Sequence, residues 1–438
     1  MNGINKILKG DKVIWILALL LGIISLVVVY SAASALVVRN YDGNTGRMLM
    51  KHAGTLFLGY LMMFIAYKIN YQHYSTIFKF VLWLCVPLLL YTMIFGNNLN
   101  QASRTINVFG FSFQPSEWAK IALITYTARE LVVLEDKIHD LRTVLTKIAI
   151  PILLITGLIF TENLSTAVIL LTACIVLLIV GRVKFMHILA IGGLGIILLG
   201  CYIAYDSAKT SVSNSKAEKE LTELVSEDAT VSLEFTPKQS RVQTWINRIN
   251  TMFEDDEEAF DPFDDHHYQQ TYAKIAVASS SFFGKGPGKS EQRNFLPHPY
   301  SDFIFAIIVE EYGILGAIVV ILIYIIILTR VMRIMNKRPM TFGAYMSFGL
   351  CFLMIMQAMI NMGVSIGLLP VTGQPLPFIS MGGTSIMATG FMLGMILSVT
   401  KSIEEEESNS NKVGQDLENT KIVTENTDTN ERAIESCD

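Results

Sequence analysis

Several charged residues stand inside or at the edge of apolar stretches, and these are the residues most able to do chemistry. Asp302 follows a polar, proline-containing segment, and Glu310 and Glu311 come about two turns further along the apolar stretch that Asp302 opens. A charge at bilayer depth costs at least ~2.5–3.5 kcal/mol and usually faces a protein interior or a water-filled path. These carboxylates are therefore candidates for a functional site.

Asp302 has two interpretations. Aspartate is a common N-terminal cap of a helix, and a carboxylate in this place can also act as a general base if the proton that it takes lies within hydrogen-bond reach. Glu310 lies about 80° around the predicted helix from Asp302 and ~12 Å deeper, so it could line the same cavity. Glu311, the next residue, is expected to point away from that cavity.

A second charged pair lies in the segment FGFSFQPSEWAK, residues 109–120. Glu117 and Lys120 are three residues apart on one face of the predicted helix, which is typical of an ion pair. A lysine below the membrane surface needs an anionic partner. That partner is either Glu117, in a structural pair, or Asp302, which Lys120 would then keep ionised.

Two further segments suggest binding sites, and neither matches a known binding motif. In FGKGPGKS, residues 283–290, Phe283 occupies the place of the first glycine of a phosphate loop, so that motif is excluded. Its glycines, with Lys285, Lys289 and Arg293, could still bring amides and cations to a lipid phosphate; the alternative is a flexible surface turn. The acidic stretch 255–267 matches no metal loop, so we predict a solvated surface and no metal site.

The composition indicates a polytopic membrane protein. The 438 residues are 52% hydrophobic and only 16% charged, and the mean hydropathy is +0.45. A soluble domain carries about 25% charged residues, and many apolar runs here reach the ~20 residues that cross a bilayer as a helix. Four of the five cysteines lie in these runs, so no disulfide framework is predicted. Nothing indicates a nucleic-acid partner.

We predict an all-α integral membrane protein with about ten transmembrane helices. Their predicted bounds are Val13–Ala33, Gly54–Ile69, Phe78–Ile94, Pro115–Leu134, Lys147–Phe160, Ser165–Val180, Val183–Tyr205, Asp302–Val331, Phe342–Val364 and Phe378–Val399. Lysine and arginine are concentrated in the loops that lie inside if the N-terminus is cytoplasmic. This distribution places both termini in the cytoplasm.

The remaining segments complete the predicted organisation. One large extracytoplasmic loop, about 206–301, connects helices 7 and 8, and its apolar stretch Tyr272–Phe283 is a candidate for contact with the outer membrane interface. Residues 1–401 form one membrane domain. Residues 402–438 carry eleven acids and three bases, a net charge of −8 against −4 for the whole chain. We predict that they form a disordered acidic cytoplasmic tail.

Three landmarks together resemble the SEDS family, which includes FtsW, RodA and SpoVE. They are FGFSFQPSEWAK, the segment GKGPGKSEQRNFLPHPYSDFIFAIIVEEYGILG (284–316), and GLLPVTGQPLPFISMGGTS (367–385). The third is rich in proline and glycine, which predicts a rigid, irregular segment at membrane depth. The likeness covers about Val13–Lys401 and is greatest to the division member, FtsW. The chain departs from the family pattern at His298, Ser301 and Met381.

The resemblance implies a peptidoglycan glycosyltransferase. Such an enzyme polymerises lipid II, an undecaprenyl-diphosphate-linked disaccharide peptide, on the outer face of the bacterial cytoplasmic (inner) membrane. Asp302 matches the family's essential loop aspartate, and Lys120 matches its charged partner on the fourth helix. The implied partners are a class B penicillin-binding protein, which is a transpeptidase, and other division proteins at the septum.

The expected chemistry inverts the donor's anomeric carbon, and it needs a base on the acceptor hydroxyl and positive charge for the departing diphosphate. The hypothesis makes Asp302 the base and lets Lys120 hold it or meet a phosphate. The substrate-binding candidates are Arg104, Glu117, Lys285, Arg293 and Glu310. No cofactor is predicted, and a divalent cation is left open. The alternatives are a lipid II flippase, an elongation (RodA-type) polymerase and a non-catalytic division scaffold.

Overall fold

The structure is a computed structural model that describes residues 9–32, 45–95, 98–99, 102–103, 106–108, 111–227, 265–296 and 299–435. Most of these residues are helical, which confirms the all-α prediction. The helices are α1 (Lys12–Ala32), α2 (Thr45–Lys68), α3 (Tyr71–Phe95), α4 (Pro115–Val133), α5 (Leu141–Glu162), α6 (Leu164–Val180), α7 (Phe185–Glu227), α8 (Asp265–Ala278), α9 (Ile304–Lys337), α10 (Phe342–Ser365) and α11 (Gly383–Glu435).

Two short antiparallel hairpins between α3 and α4 were not predicted. One pairs β1 (Asn98–Leu99) with β2 (Ala102–Ser103), and the other pairs β3 (Ile106–Val108) with β4 (Phe111–Phe113). They lead the chain directly into the first turn of α4, which carries one of the two predicted charged pairs.

Eight of the helices are long and apolar enough to cross a membrane, namely α1, α2, α3, α5, α7, α9, α10 and α11. The chain is therefore a multi-pass membrane protein. Helix α6 is apolar but has only 17 residues, and α4 lies outside the set of eight. The count of ten spans, their sidedness and the placement of the large loop stay predictions.

A tight turn joins the helices that correspond to the fifth and sixth predicted spans. Helix α5 ends at Glu162 and α6 begins at Leu164. Asn163 caps α6, since its side chain accepts a hydrogen bond from the backbone N–H of Thr166 at 3.3 Å. Asparagine is a preferred N-cap because its side-chain oxygen satisfies an otherwise unpaired helix amide.

Two helices continue beyond their predicted ends. Helix α7 does not stop at Tyr205 but runs to Glu227, into the predicted outer loop. The last of its added turns, residues 216–227, are rich in alanine, lysine, glutamate and leucine, which are strong helix formers. Helix α11 does not end at Val399 but continues to Glu435, so the backbone of the segment predicted as disordered is helical in the structure.

The glutamates in the first turns of this extension are paired with cations from distant parts of the chain. Residues 404–407 are four consecutive glutamates. Glu405 forms an ion pair with Lys9 at 2.9 Å, Glu407 forms one with Lys337 at 2.7 Å, and Glu406 pairs with Arg338. These acids belong to the tail predicted as disordered, whereas the fold brings the N-terminal segment and the α9–α10 turn to them.

The interior is built around α4, α6 and α10, which pack against one another, with α9 against α10 and α1. Helices α2 and α11 make an especially close pair because glycines face each other there. A Cβ at Gly390 would lie 2.2 Å from the carbonyl oxygen of Gly59, and one at Gly394 would lie 2.2 Å from that of Met63. Small residues allow such backbone approach between membrane helices.

Candidate functional site

Helix α9 is broken at Gly313, near the predicted site. Gly313 has φ 68° and ψ −164°, which ends a short helix at residues 304–312 before a second helix covers 314–337. Without the break, the 34 residues of α9 would extend ~51 Å, well beyond a ~30 Å hydrocarbon core. The acidic residues that the sequence places inside a continuous membrane helix thus lie at the end of a separate short one.

The loop that precedes Asp302 fills this break. The backbone N–H groups of Lys285 and Gly286 donate to the carbonyl oxygens of Glu310 and Glu311, both at 2.9 Å. The N–H of Leu315 donates to the carbonyl of Phe282 at 3.4 Å. These bonds replace the helix hydrogen bonds that the break removes, and we call residues 281–291 the docked loop.

The two glutamates hold this loop through their side chains as well. Glu310 is fully buried and accepts hydrogen bonds from Lys285 Nζ at 2.9 Å, from the N–H of Glu291 at 3.1 Å and from the hydroxyl of Ser290. Glu311, also fully buried, accepts from the N–H of Ser290 at 3.4 Å and from the Ser31 hydroxyl. Both carboxylates therefore meet the docked loop, and within the described residues no hydrogen bond or ion pair joins either of them to Asp302.

The candidate phosphate-binding cations are largely engaged by the protein itself. The hydrogen bond to Glu310 raises the pKa of Lys285 above its ordinary value. Arg293 Nη1 donates to the carbonyl of Ser31 at 3.0 Å and to its hydroxyl at 3.3 Å. Lys289 is exposed. Arg104 lies outside the described residues.

Asp302 sits in the turn just before α9, and its backbone is fixed from three directions. The carbonyl oxygens of Tyr300, Ser301 and Asp302 are consecutive acceptors along the chain. Their donors are, in order, the N–H of Met381 at 2.9 Å, the hydroxyl of Ser380 at 2.6 Å and the side-chain amide of Asn361 at 2.8 Å. We call these three contacts the clamp.

The carboxylate of Asp302 stays available. It accepts one hydrogen bond, at 2.8 Å from the Ser301 hydroxyl, and the residue is half-buried. Among the residues that the structure describes, no cation forms an ion pair with it. Asp302 does not cap α9 through its side chain either, since the N-cap position is Phe303.

Lys120 is buried and bonded to Glu117, not to Asp302. The Lys120 ammonium lies 2.8 Å from a Glu117 carboxylate oxygen, and only 1% of the lysine side chain and 6% of the glutamate side chain are exposed. Of the two partners that the sequence left open for Lys120, the structure therefore selects Glu117. No ion pair or hydrogen bond joins Lys120 to Asp302 within the described part of the chain.

The clamp residues were missed by the sequence analysis. Asn361 is a polar residue inside the apolar helix α10 and is 1% exposed, so its burial could have been suspected. Its amide also donates to the carbonyl of Gln374 at 2.8 Å. Ser380 belongs to the segment predicted to be rigid and irregular, but nothing in its spacing indicates that it faces Ser301.

Polar atoms near the clamp lack partners. The Asn361 Oδ1, Ser365 Oγ and Thr372 Oγ1 atoms are buried and make no hydrogen bond in the described structure. Buried polar atoms are normally paired with protein or water. Asn361 and Ser365 are four residues apart on one face of α10, so two of these unpaired polar atoms lie on the same face of this helix.

No cluster of three or more histidine, cysteine, aspartate or glutamate side chains able to hold a metal occurs among the described residues. The acidic stretch 255–267 lies mostly outside those residues. The possible divalent cation therefore stays untested.

Known proteins resemble this chain over most of its length. Residues 11–405 match the FtsW/RodA/SpoVE family of cell cycle proteins. The probable peptidoglycan glycosyltransferase FtsW of Trichlorobacter lovleyi is 27% identical over 404 residues, covering 91% of this chain and 95% of the relative. Stage V sporulation protein E of Bacillus subtilis is 28% identical over 410 residues, covering 91% of this chain and 98% of the relative.

A solved structure shares the fold. It is a chain from a study of how a peptidoglycan synthase complex coordinates polymerization and crosslinking, with a TM-score of 0.62 and 21% identity over 90% of this chain and 98% of that one. The match to the family covers nearly all of the chain except the acidic extension, and it includes Asp302, the clamp and the docked loop. The chain is a member of the FtsW/RodA/SpoVE family of cell cycle proteins.

Proposed function

We propose that this protein is a peptidoglycan glycosyltransferase that polymerises lipid II at the outer face of the cytoplasmic membrane. Family membership and the name of the Trichlorobacter lovleyi relative support the activity. The site is assigned from the surroundings of Asp302. Its backbone is fixed by three hydrogen bonds, while its carboxylate has no ion-pair partner among the described residues.

This arrangement suits a general base. The acceptor's GlcNAc 4-hydroxyl gives its proton to the Asp302 carboxylate as the oxygen attacks the anomeric carbon of the donor. The bond from that carbon to the diphosphate breaks, and the diphosphate leaves with the electron pair. A base must lie ~2.6–3.2 Å from the proton-bearing oxygen, and a fixed backbone reduces the entropy lost in reaching that geometry.

The charge that stabilises the diphosphate is assigned to Lys120, with Arg104 as a second candidate. Lys120 is paired with Glu117, so in this proposal a phosphate oxygen approaches an ammonium that Glu117 already orients. Lys285 already binds Glu310, and Arg293 already binds Ser31. In this proposal Lys285, Arg293 and Glu310 hold the docked loop in place. A divalent cation, if required, would act on the diphosphate.

The proposed partner is a class B penicillin-binding protein, the transpeptidase that crosslinks the new strand. The structural neighbour comes from a complex that both polymerises and crosslinks peptidoglycan, as its description states. We place the activity at the division septum because a matching relative is named FtsW. An elongation role, as in RodA, and lipid II flipping are the competing functions.

The decisive experiment is polymerisation of lipid II by the purified protein with its transpeptidase, comparing wild type with Asp302→Asn. We expect the variant to lose ~10²–10⁴-fold in rate, the usual contribution of a general base. Glu291→Gln is the matched control, since Glu291 is a carboxylate of the same region whose side chain is 74% exposed, and it should keep wild-type activity.

Equal rates for Asp302→Asn and wild type would remove Asp302 from the reaction. No glycan from either protein, together with lipid II scrambling in liposomes, would favour the flippase. Repeating the assay with a chelator tests the divalent cation.

A further inference from the structure

Two phenylalanines at the tip of the docked loop are exposed although their backbone is fixed. Phe282 is 54% exposed and Phe283 is 74% exposed, and their rings meet edge to face at 5.1 Å. Gly284 N–H donates to the carbonyl of Ser281 at 3.2 Å, and the next residue, Lys285, is bonded to Glu310. The two rings are therefore exposed on a segment whose backbone is held by hydrogen bonds.

The break in α9 sets the depth of these rings. Residues 314–337 alone extend ~36 Å at 1.5 Å per residue, enough to cross a bilayer. Leu315 lies in the first turn of this segment, and its N–H donates to Phe282. Phe282 and Phe283 therefore lie beside the end of the membrane-length helix, where the hydrocarbon core begins.

The neighbouring surface of α9 is apolar and exposed in the same way. Ile314 is 50% exposed, Leu315 47% and Ile318 44%. An exposed apolar surface on a membrane-length helix is the surface that contacts lipid. The hydrogen bond between Leu315 and Phe282 makes the phenylalanine pair continuous with this surface.

The docked loop also meets the physical condition for entering a membrane. Non-helical backbone is tolerated at membrane depth only where its polar groups have protein partners. Four of the backbone groups around the two rings have such partners, namely the carbonyl of Phe282 and the N–H groups of Gly284, Lys285 and Gly286, which are bonded within the protein. Lys289, which follows them, is exposed, and cationic side chains commonly lie at the headgroup level beside buried apolar groups.

We propose that Phe282 and Phe283 insert into the lipid leaflet at this end of α9, the predicted outer leaflet, and contact phospholipid acyl chains. The docked loop then carries a membrane anchor on one side and holds the short helix after Asp302 on the other. This inference does not depend on the proposed enzymatic activity, since it concerns the lipid contact alone.

The test is a depth measurement on the full chain in nanodiscs of phosphatidylethanolamine and phosphatidylglycerol. A spin label is placed at Phe283→Cys, with Cys201 and Cys437 replaced by serine, and its collisions with oxygen and with a water-soluble nickel chelate are compared. Labels at Ile318→Cys and Lys289→Cys serve as the lipid-facing and water-facing references. We expect the oxygen-to-nickel ratio at 283 to match that at 318 and to exceed that at 289 several-fold.

A ratio at 283 equal to that at 289 would overturn the proposal, because the rings would then lie in water. Low accessibility to both reagents would also overturn it, since the rings would then be covered by protein, either a second copy or a partner's membrane helix. If the label at 283 disturbs folding, as judged by the melting temperature, the same measurement at Phe282→Cys decides the question.

Discussion

At the scale of single residues, the clamp explains how a turn residue can hold a precise position without being part of a helix. Each of the three carbonyls before α9 receives a donor from a different residue, and the donors come from α10 and from the segment before α11. A net hydrogen bond contributes about 0.5–1.5 kcal/mol, and an unpaired buried carbonyl costs about 1–3 kcal/mol. Loss of one donor should therefore loosen the turn without unfolding the protein.

Ser380→Ala tests this clamp. Ser380 donates to the Ser301 carbonyl at 2.6 Å, whereas Ser398, the matched control, donates to the Ile69 carbonyl at 2.5 Å in another part of the fold. Both serines are at most 2% exposed, and the Ser380 hydroxyl also accepts from the N–H of Leu376 at 2.7 Å, so both alanine variants should lose stability, by about 1–3 kcal/mol for each polar group left unpaired. We expect only Ser380→Ala to lower the turnover of lipid II, by about tenfold. Equal turnover in the two variants would deny the clamp a role in catalysis.

Glu310→Ala tests the structural role given to Glu310. Removing one partner of a buried ion pair costs about 3–5 kcal/mol, because the remaining polar groups lose their compensation. Glu291→Ala is the control, since Glu291 is the other carboxylate of Lys285, at 3.3 Å, but is exposed, and such a pair contributes about 0–1 kcal/mol. The melting temperature should fall strongly for Glu310→Ala only. Lost activity at an unchanged melting temperature would instead place Glu310 in the reaction.

The protonation of Lys285 follows from the same contact. Its pKa is raised by the hydrogen bond to Glu310, so its contribution to stability is complete below the unfolded value of 10.5 and is lost only as the pH rises through the folded value. Lys285 is therefore protonated at neutral pH and can donate to Glu310.

At the scale of elements, the break in α9 and the docked loop form one unit. Gly284 and Gly313 both have positive φ, and a Cβ on either would lie 2.3 Å from a backbone oxygen of the other segment. Glycine is required here for two reasons, the backbone conformation and the lack of space. The break also lets Asp302 precede a short helix whose far end is closed by the docked loop.

Gly284→Ala and Gly288→Ala separate these two reasons. The two glycines have φ +75° and +76°, but a Cβ at Gly288 has nothing within 4 Å, while one at Gly284 meets the Glu311 carbonyl at 2.3 Å. The left-handed conformation alone costs about 1–2 kcal/mol, which is the loss expected for Gly288→Ala. Gly284→Ala should lose more and should speed hydrogen exchange at the Lys285 and Gly286 amides. Similar losses in both variants would mean that the loop is not tightly docked.

At the scale of the whole molecule, the first turns of the acidic extension join distant parts of the chain. Glu405 reaches Lys9, which lies 396 residues away, and Glu406 and Glu407 reach the turn between α9 and α10. The hydrogen bond to Glu405 raises the pKa of Lys9. All of these pairs are exposed, so salt should weaken them.

Two truncations test this contact. A chain that ends at Ser410 keeps the four glutamates, and a chain that ends at Ile403 loses them but keeps Ile403, which packs against the core. We expect the shorter chain to melt at a slightly lower temperature in low salt, with the difference vanishing in high salt because exposed pairs are screened. Both chains should polymerise lipid II. A difference that persists in high salt would show that the extension contributes apolar packing instead.

The sequence by itself determined the class of the protein, the approximate position of its apolar helices and the place of Asp302 at the start of the one that carries Glu310. These features are local, because the length of an apolar run and the residues that start and stop a helix are read from neighbouring positions in the sequence. The hairpins between α3 and α4, the extension of α7 and the break at Gly313 were missed. A lone glycine in an apolar run does not reveal whether a distant loop will supply its missing hydrogen bonds.

Only the tertiary structure decided which partners the charged and polar side chains take. Glu311 meets Ser31 across 280 residues, Asn361 meets Asp302 across 59, and Ser380 meets Ser301 across 79. Even Lys120, for which the sequence offered both Glu117 and Asp302, was settled only by the packing of α4. The physical reason is that hydrogen bonds and ion pairs act over a few ångströms, so residues far apart in sequence acquire partners only when the helices pack.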